Sequence, residues 1–329
     1  MRAKIFVYAL PALILTTIHV TEAQQARKIP LIGILDSGTP STSLSRIEAF
    51  RDGLRQLGYV DGQKILIEYR YADGKNERFP ELAAELVGLK TDVLIAAGGN
   101  STTRALKEAT KTIPIVMTSG SDAVDGGLIS SLARPGGNVT GLTALWDDLS
   151  GKRLELLKET VPKLSSVAVL WSTGPGSGAA SQWKANQTAA QQLGLQALSL
   201  EVRRSEDLES AFKDAVKARS GALAVTSSTL SSANRRRIVD LATKNRLPAM
   251  YAGSEYVDVG GLMYYGANTS DLYRRAAVYV DKILKGTKPA DLPVEQPTKF
   301  ELIINLKAAK QIGLTIPPNV LARADKVLK

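Results

Sequence analysis

The sequence contains no cysteine and a single histidine in 329 residues. Without a thiol there is no disulfide framework, no thiolate nucleophile, no Cys-ligated zinc and no cysteine-bound iron–sulfur cluster. The histidine is His19, inside an apolar N-terminal run. Removal of that run leaves neither imidazole nor thiol. Histidine general bases, serine–histidine catalysis and ordinary zinc sites then disappear together. Carboxylates, Lys, Tyr and hydroxyls remain, so enzymes are disfavoured without being excluded. We expect no catalytic residue, no metal and no cofactor. A G-x-x-x-x-G-K-[ST] phosphate loop is also missing, so the chain carries no ATPase of its own. Aromatic residues are few, at 5%.

What is present starts with an export-type segment. Arg2 and Lys4 precede a mostly apolar stretch, 5–20, interrupted by Pro11. Ala23 closes it, with Thr21 at minus three, which predicts cleavage before Gln24 and a signal peptide over 1–23. About 16 apolar residues fall short of the ~20 that a bilayer span needs. No cysteine follows to carry a lipid, so the expected product is periplasmic. Arg2, Lys4 and Glu22 leave with the signal, taking the net charge from +10 to +9. The positive charges are dispersed. The one tight run, Arg235-Arg236-Arg237, reads as a solvated helix face, not a nucleic-acid patch.

Short apolar runs alternate with amphipathic segments along the chain. The first round has strands at 29–35, 65–71, 92–97, 113–118 and 139–142. Helices at 45–57, 79–89 and 102–110 separate them. Ile47, Phe50, Leu54 and Leu57 mark the buried stripe of the first helix, and Gly58 caps it. The second round opens with a helix at 150–161. Strands follow at 167–171, 195–202, 222–226, 248–251 and 262–265, with helices at 179–193, 208–217 and 234–245. Such alternation implies parallel sheets with right-handed crossovers.

The two rounds echo each other. TDVLIAAGGNSTT (91–103) answers GALAVTSSTLSSA (221–233), and IPIVMTSGS (113–121) answers LPAMYAGSE (247–255). GGNVTGLTA (136–144) answers GGLMYYGAN (260–268). Near-constant offsets predict two lobes of one topology, with hinge-like crossings near 144–148 and 267–270. A last helix from 271 carries Tyr273, Ala276, Ala277, Val280, Ile283 and Leu284 on one face. Pro289, Pro293 and Pro297 precede a strand at 300–304. This tail is expected to visit the first lobe and return to the second. The expected lobes are 29–145 plus 268–298, and 146–267 plus 299–329.

In doubly wound sheets, ligands bind beyond the carboxyl ends of the strands. Those ends are rich in small polar residues here. From the first half we take Ser37, Gly38, Thr39, Gly98, Gly99, Asn100, Ser101, Ser119, Ser121 and Asp122 as ligand-binding candidates. From the second we take Ser172, Ser227, Ser228, Glu255, Tyr256 and Asn268. Each loop alone is ordinary turn and cap chemistry, but six at matching places point to a shared site between the lobes. GGNST before the 102–110 helix suits a carboxylate, because Gly admits close backbone approach and the helix dipole favours an anion. Asp122 and Glu255 are positioned for a ligand ammonium. Tyr256 is the expected stacking ring, whereas Trp171 and Tyr265 read as core. Trp146 sits near a hinge and Trp183 on a helix. A rival pattern is Gly174-x-Gly176-x-x-Ala179, with Glu201 beyond it, which has the outline of a dinucleotide fingerprint.

Several stretches resemble one family: FRDGLRQLGY (50–59), IEYRYADG (67–74), SLARPGGNVTGLT (131–143), KRLELLKETVP (152–162), GLMYYG (261–266) and the long run 273–318. They are similar to the substrate-binding proteins of ABC transporters, in the subfamily related to tryptophan and tyrosine uptake. The resemblance covers essentially the whole chain after the signal. It implies an α/β, type I periplasmic binding-protein fold: two doubly wound, Rossmann-like parallel-sheet lobes joined by a multi-crossing hinge. It implies a monomer that closes on a small organic ligand and delivers it to an inner-membrane ABC permease with a cytoplasmic ATPase. The ligand class it suggests is an aromatic amino acid or aromatic carboxylate. Two departures border the expected cleft. Asp122-Ala123-Val124 replaces a frequent Asp-Pro-Val, and Ser172-Thr173 replaces a frequent Asn-Pro. The alternatives are a ligand-binding sensor subunit for a membrane signalling protein and an exported dinucleotide-binding enzyme.

Overall fold

The computed structural model describes residues 29–173 and 179–329. The expected signal peptide with His19, and Gly174 and Gly176 of the fingerprint, lie outside these residues. The first round forms β1 (Leu31–Asp36), α1 (Pro40–Gln56), β2 (Leu66–Tyr71), α2 (Phe79–Gly88), β3 (Val93–Ala97), α3 (Asn100–Ala109), β4 (Ile115–Gly120) and β5 (Val139–Thr143). The second begins with α4 (Ser150–Thr160), β6 (Ser166–Ser172), α5 (Ala179–Gln192), β7 (Gln196–Val202), α6 (Leu208–Lys217) and β8 (Ala222–Val225). It continues with α7 (Thr229–Ala233), α8 (Arg235–Lys244), β9 (Ala249–Tyr251), α9 (Glu255–Asp258) and β10 (Met263–Ala267). The tail supplies α10 (Thr269–Leu284), β11 (Phe300–Asn305), α11 (Leu306–Gln311), α12 (Pro318–Leu321) and β12 (Lys326–Leu328).

Two α/β lobes result. The first sheet has the order β2-β1-β3-β4-β5 and is parallel throughout. The second has the order β12-β11-β10-β9-β8-β6-β7, and only β10 and β11 run antiparallel within it. Every residue of β3, β5 and β8 is buried. Burial on both faces explains why β3 and β8 read as unbroken apolar runs, with no alternation. On one face of the first sheet, Phe50 and Leu54 of α1 and Ala276, Ala277 and Val280 of α10 pack against Ile32, Ile34 and Ile95. On the other, Leu82, Leu86 and Leu106 pack against Leu35, Leu94 and Met117. The second sheet is covered likewise, by Leu154 and Leu157 on one face and Phe212 and Ile238 on the other. Gly53 lets α1 and α10 touch, since a Cβ there would stand 2.5 Å from the carbonyl oxygen of Arg274.

Several details differ from the sequence reading, among them the short helices α9, α11 and α12, which it does not contain. Helix α1 starts five residues early, at Pro40, because Thr39 caps it in a reciprocal box with Thr42 and Pro40 fits the first turn. The segment 229–233 folds as α7, capped by Ser228. A short β12 pairs in parallel with β11. The arginine run lies on α8, where Arg237 Nε donates to Glu209 Oε1 at 3.0 Å on the surface. Among the described residues, no helix is long and apolar enough to cross a membrane.

The chain passes between the sheets after β5, after β10 and before β11. Helix α10 packs on the first sheet, while β11 and β12 join the second. Glu295 extends the first sheet's edge by backbone bonds to Gly141 and Thr143, each 3.0 Å. Arg153 ties two crossings together: Nε donates to the Tyr265 carbonyl at 2.8 Å and Nη1 to the Trp146 carbonyl at 3.0 Å. Burial brings its guanidinium down to about 10, still protonated at neutral pH.

Candidate functional site

The carboxyl ends of both sheets face a shared cleft of about 890 Å³ that opens to solvent. Beyond β3 the backbone turns through Gly98 and Gly99, with φ of 132° and 89°. A Cβ on Gly98 would stand 2.2 Å from Ser37 Oγ, so glycine is required there. Gly99 occupies the cap position of α3 and supplies no side-chain acceptor. The first amides of α3 therefore have no capping side chain, at the positive end of the helix dipole. Asn100 fixes the neighbouring loop with both ends of its amide. Nδ2 donates to the Ser121 carbonyl, and Oδ1 accepts from the Ser121 amide at 2.9 Å.

The second lobe repeats that arrangement with other residues. Gln182, on α5, holds the loop after β8: Nε2 donates to the Ser227 carbonyl at 3.1 Å, and Oε1 accepts from the Ser227 amide at 2.9 Å. Here the next helix, α7, is capped, because Ser228 Oγ accepts from the Ser231 amide at 3.0 Å. Glu255 stands in the first turn of α9, with its carboxylate folded against Gly253. Tyr256 is 2% exposed and stacks on Tyr251, with ring centroids 4.8 Å apart. Burial raises its phenol above the usual range. Its hydroxyl has no partner of normal geometry among the described residues.

Arg46 reaches the cleft from α1. Nη2 donates to Ser43 Oγ at 2.9 Å and stands 3.6 Å from Asp36 Oδ1. Asp36 is fully buried, and its Oδ1 accepts from the Gly38 amide and from Ser43 Oγ, each at 2.7 Å. The guanidinium lies 5.7 Å from the ring centre of Tyr273. Burial acts to lower the Arg46 guanidinium, but the combined fields of Tyr273, Asp36, Glu255 and Tyr71 outweigh it and leave it raised. Arg46 is thus a permanent cation in the wall of the cleft. At the hinge, Trp146 lines the cleft and lies under the Arg153 guanidinium, 5.4 Å away. Next to it, Asp147 accepts from Ser121 Oγ at 3.5 Å, and burial raises its carboxyl.

Of the sixteen candidates, eleven line this cleft: Ser37, Gly98, Gly99, Asn100, Ser101, Ser119, Ser121, Ser227, Ser228, Glu255 and Tyr256. The other five lie outside its lining. The Gly38 amide donates to Asp36, and a Cβ there would meet Thr42 Oγ1 at 2.5 Å. Thr39 caps α1. Ser172 is buried at the end of β6. Asn268 caps α10 through the Asp271 amide at 2.8 Å and donates to Glu301 at 3.1 Å. Asp122 is exposed in a left-handed turn, φ 46°, with its carboxyl raised by burial and by Asp125 and Asp148. Sequence reasoning does not single out Arg46, Gln182 or Tyr273 as part of the site. Trp171 is core as expected, since its Nε1 donates to Ser199 Oγ at 2.8 Å and it stacks on Trp183. Glu201, the acidic position of the rival fingerprint, accepts from Thr173 and Arg203 at 3.2 and 3.0 Å.

Two parallel-sheet lobes, a hinge of several crossings and a polar cleft at the strand ends together define a two-lobed ligand-binding protein. The family model "ABC transporter substrate binding protein" matches residues 39–328, and the chain belongs to that family. A tyrosine-binding protein of Clostridioides difficile (strain R20291) is 27% identical over 295 residues, covering 89% of this chain and 83% of the relative. A conserved domain protein of Vibrio cholerae is 30% identical with a TM-score of 0.84, covering 91% of this chain and 100% of that one. An ABC domain from Streptococcus pneumonia, solved in complex with L-Trp, is 26% identical with a TM-score of 0.83, covering 91% of this chain and 99% of that one.

Proposed function

We propose that this chain is a periplasmic receptor, exported by a cleaved signal over 1–23. It closes its lobes on a small aromatic amino acid or aromatic carboxylate and presents the closed form to an inner-membrane ABC permease driven by a cytoplasmic ATPase. The lobes that move are 29–145 plus 268–298, and 146–267 plus 299–329. The observation that carries the reading is the cleft: its walls come from both sheets, and its polar groups sit at eleven of the expected strand-end positions. Relatives that bind tyrosine and L-Trp support the aromatic class.

The ligand must contact both lobes better when closed than when open, because only differential affinity shifts the population. Ser101, Ser119 and Ser121 offer donors on one wall, and Ser227 and Tyr256 do so on the other. The Tyr256 ring provides an apolar face. Micromolar affinity corresponds to about 8 kcal/mol, within reach of two or three charge-assisted hydrogen bonds and one stacked ring. Calorimetry on ligand-stripped protein against a panel of amino acids and aromatic acids tests this. Micromolar or tighter binding of an aromatic member is expected. Absence of heat and of thermal shift for every aromatic member overturns the ligand class. Mass spectrometry of the molecule that co-purifies from the periplasm would name the ligand.

A further inference from the structure

The lobes also meet outside the cleft, at its far rim. Strands β2 and β5 are the two edges of the first sheet, and the chain first crosses to the second lobe after β5. The segment that follows β2 therefore lies on the side away from that crossing. It ends the stretch IEYRYADG (67–74), none of which lines the cleft. Its turn is stiff. The amides of Ala72, Asp73 and Gly74 donate to the carbonyls of Asp36, Gly38 and Ser37 at 2.9, 3.0 and 2.9 Å. Asp73 and Gly74 are both left-handed, with φ of 56° and 77°, and Arg78 pairs with Asp73. Gly74 faces Ala233, the last residue of α7 in the other lobe. A Cβ on Gly74 would stand 2.4 Å from Ala233 Cβ, closer than two carbons can approach. Helix α7 is stiff as well: Ser228 caps its start, and Asn234 Nδ2 donates to the Leu230 carbonyl at 2.9 Å. Both turns are tied to the cleft walls, through Ser37 on one side and through Ser228, Thr229 and Ser232 on the other.

We propose that Gly74 and Ala233 are the seat on which the lobes close, and that their small size sets how far the cleft shuts. Neither lines the cleft. They are positioning residues for ligand retention. Two stiff turns have no flexible side chain between them to absorb added bulk, so a larger residue at 233 props the rim apart. A gap of about 1–2 Å is enough, because hydrogen bonds to a molecule held by both walls are lost beyond about 3.5 Å. The seat also explains why the stretch 67–74 ends in glycine. Asn would accept the left-handed φ, but its Cβ would keep the lobes from meeting. The inference rests on closure over a small molecule and not on the class of that molecule.

Two experiments test this, and the first needs no ligand. The sequence has no cysteine, so Gly74→Cys with Ala233→Cys adds the only thiols. A Cβ at 74 would stand 3.9 Å from Ala233 Cα, within disulfide reach once the rim relaxes by about 1 Å. The folded, ligand-stripped double variant is expected to cross-link within the monomer under mild oxidation. Lys64→Cys with Ala233→Cys, placed before β2 instead of after it, should not. Failure of the first pair to cross-link overturns the proposal, as does equal cross-linking of the second. The other experiment uses Ala233→Leu and Ala233→Ser with L-tyrosine as the probe. Ala233 is exposed, so both variants should keep the parent's unfolding midpoint when ligand-free. Ala233→Leu is expected to release L-tyrosine at least ~10-fold faster with its association rate little changed, and Ala233→Ser to stay within about twofold of the parent. Release from Ala233→Leu at the parent's rate overturns the seat. If the parent itself does not bind L-tyrosine, the aromatic reading is what suffers, and the cross-link still decides the seat.

Discussion

The turn after β3 and the turn after β8 are counterparts in sequence and in place, yet they present different chemistry. Both close a buried strand and open a helix at the cleft, and each takes part in a side-chain amide staple: Asn100 of the first holds Ser121 in the loop after β4, and Gln182 holds Ser227 of the second. The first passes through two left-handed glycines and leaves α3 uncapped. The second uses Ser228 to cap α7. A repeated supersecondary unit has thus kept its geometry and diverged in what its helix start offers: open donors in one lobe, satisfied donors in the other.

The difference can be broken hardest at Gly98. Its φ is 132°, and a Cβ added there would stand 2.2 Å from Ser37 Oγ, so Gly98→Ala is a strained and crowded substitution. We expect a loss of about 3 kcal/mol in urea unfolding, with ligand affinity falling as the turn shifts. At the equivalent turn, Ser228→Ala removes one cap and should cost only about 1 kcal/mol. Equal losses at the two sites would show that the glycine turn has no special backbone requirement.

Much of this contrast is legible in the sequence, and the reason it is incomplete there is physical. Small polar residues after apolar runs mark strand ends, which is how eleven lining positions can be found. The same residue types make caps, which is why Thr39 and Asn268 are swept in: a side chain that caps a helix and one that awaits a ligand look alike until the helix starts are known. Arg46 is hidden by that same boundary. With α1 begun at 45, Arg46 falls at a helix end; begun at Pro40, it sits one turn after Ser43, whose hydroxyl it meets. Tyr273 is core by its ring, as its periodicity implies, but periodicity does not show where a hydroxyl emerges. Gln182 carries no signal, since an amide on an amphipathic helix is ordinary surface. The alternation of strands and the returning tail are readable because parallel sheets need long crossovers, whereas β12, three residues long, has too little pattern to detect.

The amide staples give a second, smaller contrast. Asn100→Ala leaves the buried amide and carbonyl of Ser121 without partners and should cost about 2 kcal/mol. Gln182→Ala frees the half-buried Ser227 backbone, which water can reach, so about 1 kcal/mol is expected. Thermal unfolding of the two variants side by side measures the gap. A larger loss at Gln182 would reverse the view that the first lobe holds its loop more tightly.

The smallest effect is expected at the hinge, where Asp147 belongs to neither turn but touches the first lobe through Ser121. Burial raises its folded-state carboxyl above the unfolded value, with Asp122 and Asp148 adding to the rise. For a raised carboxyl the folded state binds its proton more tightly than the unfolded state. Its ionisation therefore costs stability as pH climbs from the ordinary Asp range through the raised folded value, and the cost persists above it. Asp147→Asn removes that charge. The variant should equal the parent in acid, below the ordinary Asp range, and exceed it at neutral pH by no more than about 0.5 kcal/mol. Urea midpoints taken from about pH 3 to about pH 8 check the sign. A variant that is weaker at neutral pH would mean that the ionised carboxylate, bonded to Ser121, stabilises the hinge more than its burial costs.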